Sequence, residues 1–300
     1  MVRPIKILDF DIYKSFADQA KKEGLKEMGL YSTGEPLMVK NLEKYIKYAK
    51  KIGIEYVYIT TNASLLNDKK FISLINAGLD SIKFSVNGGS KETYKLIHGK
   101  DDFETVLSNI KNISLYRKRK KIKLKLLVSF VVTKYTINEK QKVIDIFKEY
   151  VDDILFNEVN SQMGRNLEFL KDFSVNPDDY KIKKPKSASP CHMLWNRLHV
   201  TCEGYLNLCC NDYENTLTYA DLREVSLVKA WHNSIIEEMR KKHKSKNIEN
   251  TLCQNCLYNT AFEYEPISNI GYYENKSYKS NKKSGVESIK RRISFLEKNL

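Results

Sequence analysis

Residues 55–89 read Glu55-Tyr-Val-Tyr-Ile-Thr60, then Thr61-Asn-Ala-Ser-Leu-Leu66, then Asn67-Asp-Lys-Lys-Phe-Ile-Ser-Leu-Ile-Asn-Ala77-Gly78. They continue through Leu79-Asp80 to Ser81-Ile-Lys-Phe-Ser-Val86 and Asn87-Gly-Gly89. The first block is β-branched and aromatic, which fits a buried strand. The run Asn67 to Ala77 predicts a helix closed by Gly78. Ser81 to Val86 predicts a second strand that turns out at Asn87. A strand–helix–strand unit this compact implies parallel neighbours joined by a right-handed crossover.

The alternation continues on both sides. Upstream, Asp9 to Glu23 carries Ile12, Phe16 and Ala20 at helical spacing, with Asp9 and Asp11 as caps and Gly24 as a stop. Lys26 to Tyr31 reads as a short strand, Ser32 to Pro36 as a turn, and Val39 to Lys51 as a helix. Downstream come helices from Ser90 and across Asp102 to Arg117, then a strand from Ile122 to Val132. A helix from Asn138 to Tyr150 and a strand from Asp152 to Glu158 follow. This repetition of βα units predicts an α/β chain with a parallel sheet, either doubly wound or a barrel.

In both architectures ligands gather at the C-terminal ends of the strands. Those ends are Gly34-Glu35-Pro36, Thr61-Asn62-Ala63, and Ser85 with Asn87. The residues are also ordinary turn formers, so together they speak for a polar ligand more than any one does. Glu35 stands out. A carboxylate flanked by Gly and Pro at a strand end suits an ammonium group, or caps the following helix at ~0.3–1 kcal/mol.

All six cysteines lie between Cys191 and Cys256. Cys191, the Gly204-x4-Cys209 motif and the Cys253-x-x-Cys256 pair form a set that could hold a metal or cluster. Cys202 and Cys210 are left over, and Cys210 is the runner-up for Cys209, since neighbours on a strand face opposite ways. The bland alternative is buried thiols packed as small hydrophobes. Trp195 to Thr201 and Tyr205 to Leu208 predict a hairpin turning at Glu203-Gly204, and Leu227 to Met239 an amphipathic helix. His192, His199 and His232 fit surface or hydrogen-bonded roles better than ligation.

The N-terminus shows no apolar run of a secretory leader or a membrane span. The expected compartment is therefore the reducing cytoplasm, which suits thiolate ligands and argues against a disulfide framework. The chain has a net charge of +14. Its basic residues fall in short runs that read as solvated faces, without the interleaved aromatics of a nucleic-acid-stacking surface. Contact of the basic tail with nucleic acid or membrane lipid is the weaker reading of that charge.

Three segments resemble the radical S-adenosylmethionine superfamily: Tyr31-Ser-Thr-Gly-Glu-Pro-Leu37, Thr60-Thr-Asn-Ala-Ser-Leu-Leu66, and Ala77-Gly-Leu-Asp-Ser-Ile-Lys-Phe-Ser-Val-Asn87. The resemblance implies a (β/α)6 barrel. It implies that Gly34, Glu35 and Pro36 hold the methionine amino group of S-adenosylmethionine, with Asn62 at the next strand end and Ser85 near the ribose. Ala63 stands where that family usually has Gly. Cys191-His-Met-Leu-Trp195 and Gly204-Tyr-Leu-Asn-Leu-Cys-Cys-Asn-Asp212 resemble the SPASM or twitch extension. That implies an auxiliary 4Fe-4S cluster on Cys191, Cys209, Cys253 and Cys256. No cysteine follows Cys256, which fits the one-cluster twitch form.

The superfamily's CxxxCxxC loop, which binds the cluster that reduces S-adenosylmethionine, is missing, since no cysteine precedes Cys191. The resemblance therefore suggests a barrel without its first strand, from a truncated reading of a longer gene or a degenerate relative, and inactive as written. No catalytic residue is assigned. A second 4Fe-4S cluster is expected only in a full-length form. The expected division is a partial barrel over 1–176, a linker over 177–190, a twitch-like domain over 191–262 and a basic tail over 263–300. Expected partners are a peptide or small polar substrate and a reducing electron donor. The alternative is a non-catalytic binding protein carrying an iron–sulfur cluster or zinc. A missing first strand would also leave an open sheet edge near Lys26 to Tyr31, prone to self-association.

Overall fold

The computed structural model describes residues 6–163, 167–176, 190–258 and 262–270. By contacts the chain divides into two compact units. The linker expected over 177–190 lies almost wholly outside the described residues, as does the tail from 271 onward.

One unit spans Leu25–Val159 with Phe173–Val175. Its strands are β1 (Glu27–Gly29), β2 (Tyr56–Thr61), β3 (Ser81–Ser85), β4 (Lys125–Val132) and β5 (Asp153–Glu158). Between them lie the helices α2 (Leu42–Lys51), α3 (Asp68–Asn76), α4 (Lys91–His98), α5 (Phe103–Arg119) and α6 (Lys140–Phe147). Every strand pairing is parallel, and the strands lie side by side in chain order. A doubly wound sheet reverses its strand order at a switch point. This sheet has no reversal, so its winding is that of a barrel wall, as expected of a partial (β/α)6 barrel.

The elements follow from local chemistry. In β2 the alternation buries Val57, Ile59 and Thr61, and in β4 it buries Leu126, Val128, Phe130 and Val132. Asn67 caps α3 by accepting from the Lys70 amide at 2.9 Å. Ser90 and Thr93 form a capping box at the start of α4, and Gly99 ends it with φ +74°.

The second unit takes residues up to Gly24, Asn160–Asp172 and the C-terminal region from Asn176. By contacts the first 24 residues fall in this unit. The reason is α1 (Phe10–Lys22), whose Gln19 side chain accepts from the Leu227 amide at 2.8 Å at the start of α9 (Leu227–Trp231). The helix α7 (Leu167–Phe173) begins in this unit. A three-stranded antiparallel sheet follows: β6 (His199–Val200), β7 (Tyr205–Asn207) and β8 (Thr218–Asp221). The β6–β7 turn is where the sequence put it, with Gly204 at φ +92°.

Around that sheet lie α8 (Met193–Asn196), α9, α10 (Ser234–Ser245) and α11 (Leu252–Tyr258). The single helix expected over Leu227 to Met239 is two. Asn233 breaks it: its side-chain oxygen caps the Ile236 amide at 3.0 Å while its amide donates to the Tyr219 carbonyl at 2.7 Å.

Candidate functional site

The barrel unit gathers its polar strand ends on one rim. The Glu35 carboxylate accepts from the Leu37 amide at 3.0 Å, the Thr61 hydroxyl at 2.6 Å and the Asn62 amide at 2.9 Å. It thereby ties the loop after β1 to the end of β2 and caps the short turn at Pro36–Met38. Three of its roughly four lone-pair directions are taken, leaving one for a further donor. Gly34 beside it is exposed, and Pro36 is buried.

The adjoining turn is fixed from several sides. Thr61 Oγ1 also accepts from the Ala63 amide at 3.1 Å, Asn62 Oδ1 accepts from the Ser64 amide at 3.0 Å, and Asn109 donates to the Ala63 carbonyl at 2.9 Å. Ala63 sits at φ +63°. The left-handed geometry that a glycine would adopt freely is thus held here by an alanine. Ser85 pairs with Ser129 at the end of β3, and Asn62 lies one step beyond the last β2–β3 pair, Thr61 with Phe84. The structure therefore joins Glu35 and Asn62 directly and sets Ser85 on the next strand end. Asn87 serves the scaffold: its Oδ1 accepts from the Val131 amide at 2.9 Å and its amide donates to His98 Nε2 at 3.0 Å.

In the C-terminal unit Cys191, Cys209, Cys253 and Cys256 line one cavity of about 30 Å³, with His243, Leu194 and Leu208 among the other walls. They come from separate segments: Cys191 just before α8, Cys209 just after β7, and Cys253 and Cys256 one turn apart on α11. Cys210 is exposed and is not part of the wall. Burial, and the neighbouring Cys256 and Cys191, push the Cys253 thiol up. Burial, with Cys191 and Cys210 nearby, pushes Cys256 up as well. A hydrogen bond to Cys210 keeps the proton on Cys209, with burial adding to it. A metal or cluster entering here would displace those protons. The four cysteines line this cavity, and among the described residues no group of three or more Asp, Glu, His or Cys side chains is set to hold a metal ion.

The wall includes one group the sequence reading passed over. His243, on α10, is 3% exposed, and its Nδ1 accepts from the Cys191 amide at 3.4 Å. Arg240, one turn earlier, donates to the Leu194 carbonyl at 3.0 Å and stacks on Trp231 at 4.5 Å. Together they clamp the Cys191–Asn196 segment onto α10. The sequence reading ended that helix at Met239, before both residues.

The chain thus combines a five-stranded parallel sheet with polar strand ends and a cysteine-lined cavity. The model of the Radical SAM superfamily matches residues 2–146, and the model described as an iron-sulfur cluster-binding domain, SPASM, matches residues 191–257. Residues 2–146 thus carry a radical SAM superfamily domain and residues 191–257 a SPASM-type domain. It is 27% identical over 219 residues to the uncharacterized protein MJ0804 of Methanocaldococcus jannaschii, covering 67% of this chain and 70% of that one. A probable GTP 3′,8-cyclase of Saccharolobus solfataricus is 38% identical over 96 residues, only 32% of this chain and 30% of the cyclase. Among solved structures, native anSMEcpe with bound AdoMet and Kp18Cys peptide aligns with a TM-score of 0.57 at 15% identity, over 100% of this chain and 93% of that one. The cofactors of this family are 4Fe-4S clusters and S-adenosylmethionine. Among the described residues, no helix is long and apolar enough to cross a membrane.

Proposed function

We propose that the C-terminal unit holds one auxiliary 4Fe-4S cluster on Cys191, Cys209, Cys253 and Cys256. In the same reading the barrel unit binds S-adenosylmethionine at its strand ends through Gly34, Glu35, Pro36, Asn62 and Ser85. The observation that carries the reading is the convergence of four cysteines from separate segments on one cavity. With four protein thiolates the cluster is closed and supplies electron transfer when bound. The chain's own part is to exclude water around it with leucine and methionine walls and to hold its ligands on fixed elements.

The cluster that cleaves S-adenosylmethionine finds no residues here. No cysteine precedes Cys191, and a cluster of that kind is held by thiolates. No cleavage step is therefore assigned to residues 1–300. The activity they belong to is hydrogen abstraction from a peptide or small polar substrate, fed by a reducing electron donor. The peptide in the aligned anSMEcpe structure supports the first substrate class. The second reading is a non-catalytic binding protein that carries an iron–sulfur cluster or zinc.

Anaerobic purification and reconstitution test the proposal. The chain is expected to carry about four irons and four sulfides, one cluster and not two. It is expected to bind S-adenosylmethionine, with Glu35→Gln weakening that binding, and to release no 5′-deoxyadenosine with dithionite. Zinc in place of iron would overturn the cluster assignment.

A further inference from the structure

His243 Nε2 is buried and has no hydrogen-bond partner, and His243 is among the residues that line the cavity with the four cysteines. Its Nδ1 accepts from the Cys191 amide, so the neutral ring carries its proton on Nε2. An N–H donor left without a partner at 3% exposure is costly unless something fills the role. The remaining walls are the cysteines with leucine and methionine side chains, so among the residues lining the cavity His243 alone carries a side-chain N–H. The acceptor it lacks would be a sulfur.

We propose that His243 is a positioning residue of the cluster site: Nδ1 fixes the Cys191 backbone, and Nε2–H donates to a cluster sulfide or cysteine sulfur. The inference rests on the cluster reading above. A hydrogen bond to sulfur stabilises the extra negative charge of the reduced cluster, and so raises its potential. Arg240 holds the same helix against Leu194, which keeps the ring in register with Cys191. The arrangement parallels metal-bound histidines whose second nitrogen is fixed by a backbone group, with the roles of metal and donor exchanged.

The test compares wild type, His243→Phe and His243→Gln after anaerobic reconstitution, with iron and sulfide measured on each. EPR-monitored redox titration is expected to show a more negative cluster potential in His243→Phe at unchanged iron content. His243→Gln, which keeps an N–H, should return part of the shift. Equal potentials in wild type and His243→Phe would overturn the proposal. If neither variant folds, pulsed EPR of reduced wild type labelled with 15N-histidine decides. A weak nitrogen coupling supports a hydrogen bond, a strong one would make a histidine an iron ligand, and none would refute the contact. Wild type without iron overturns the cluster reading itself and the His243 proposal with it, a failure visible in the metal analysis before any titration.

Discussion

Glu35 serves three donors with one carboxylate, so its replacement has a stability consequence separate from any ligand. Glu35→Ala leaves the Thr61 hydroxyl and the Asn62 and Leu37 amides without their acceptor, and is expected to cost roughly 1–3 kcal/mol in a urea melt of the ligand-free protein. Glu35→Gln retains one acceptor oxygen and should lose less. His98 makes a second residue-scale prediction. Burial disfavours its imidazolium and pulls its pKa down to about 4, below the ~6.5 of an unfolded chain. Its contribution is whole above ~6.5, is lost as pH falls between ~6.5 and 4, and changes no further below. The slope is at most about 1.4 kcal/mol per pH unit. His98→Gln should flatten that part of the acid limb in stability measured against pH. The sequence offered Glu35 as a cap, which its bond to the Leu37 amide bears out, but not its bonds to Thr61 and Asn62, nor the burial of His98. Glu35 meets partners 26 and 27 residues away, and His98 is fixed by a contact across 11 residues and by stacking on Tyr94 at 4.1 Å.

Elements were legible where short-range chemistry determines them. The strand at Tyr56–Thr61 announces itself by β-branched and aromatic residues and α3 by its closing glycine, while Ser81–Ser85 and Lys125–Val132 fall within the strands expected over 81–86 and 122–132. The β8 strand, Thr218–Asp221, was not read, because all four of its residues are buried and two are polar, so no alternation survives. The division of α9 from α10 was hidden because Leu227, Trp231 and Ile235 keep helical spacing across the break. Asn233→Ala should therefore destabilise the C-terminal unit by about 1–2 kcal/mol, by removing a cap and the bond to Tyr219. Gly88 makes a sharper case. A Cβ there would lie 2.2 Å from the Tyr94 amide nitrogen, in the backbone of α4. Gly88→Ala is expected to cost at least the roughly 1–3 kcal/mol of ordinary overpacking, since a backbone atom cannot swing aside, and thermal melts would show it.

Over the whole molecule, the five-stranded sheet has β1 and β5 at its two edges among the described residues. β1 is only three residues long, and Glu27 and Gly29 on it are exposed. Parallel sheets are ordinarily covered, and an open edge invites pairing with another chain. Residues 1–300 by themselves are expected to self-associate as concentration rises. Sedimentation velocity checks this, and a monodisperse monomer at high concentration would refute it. The distribution of sulfur has a different consequence. Every cysteine falls at or after Cys191, so the β/α unit is free of thiols. An alkylating reagent therefore reports on one half of the protein and is blind to the other. With the four cavity cysteines engaged, only Cys202 and Cys210 remain to react, and an intact-mass measurement would register two adducts where the metal-free chain takes up to six. The chain thus carries its own occupancy counter, readable by mass without enzyme assay, substrate or spectroscopic label.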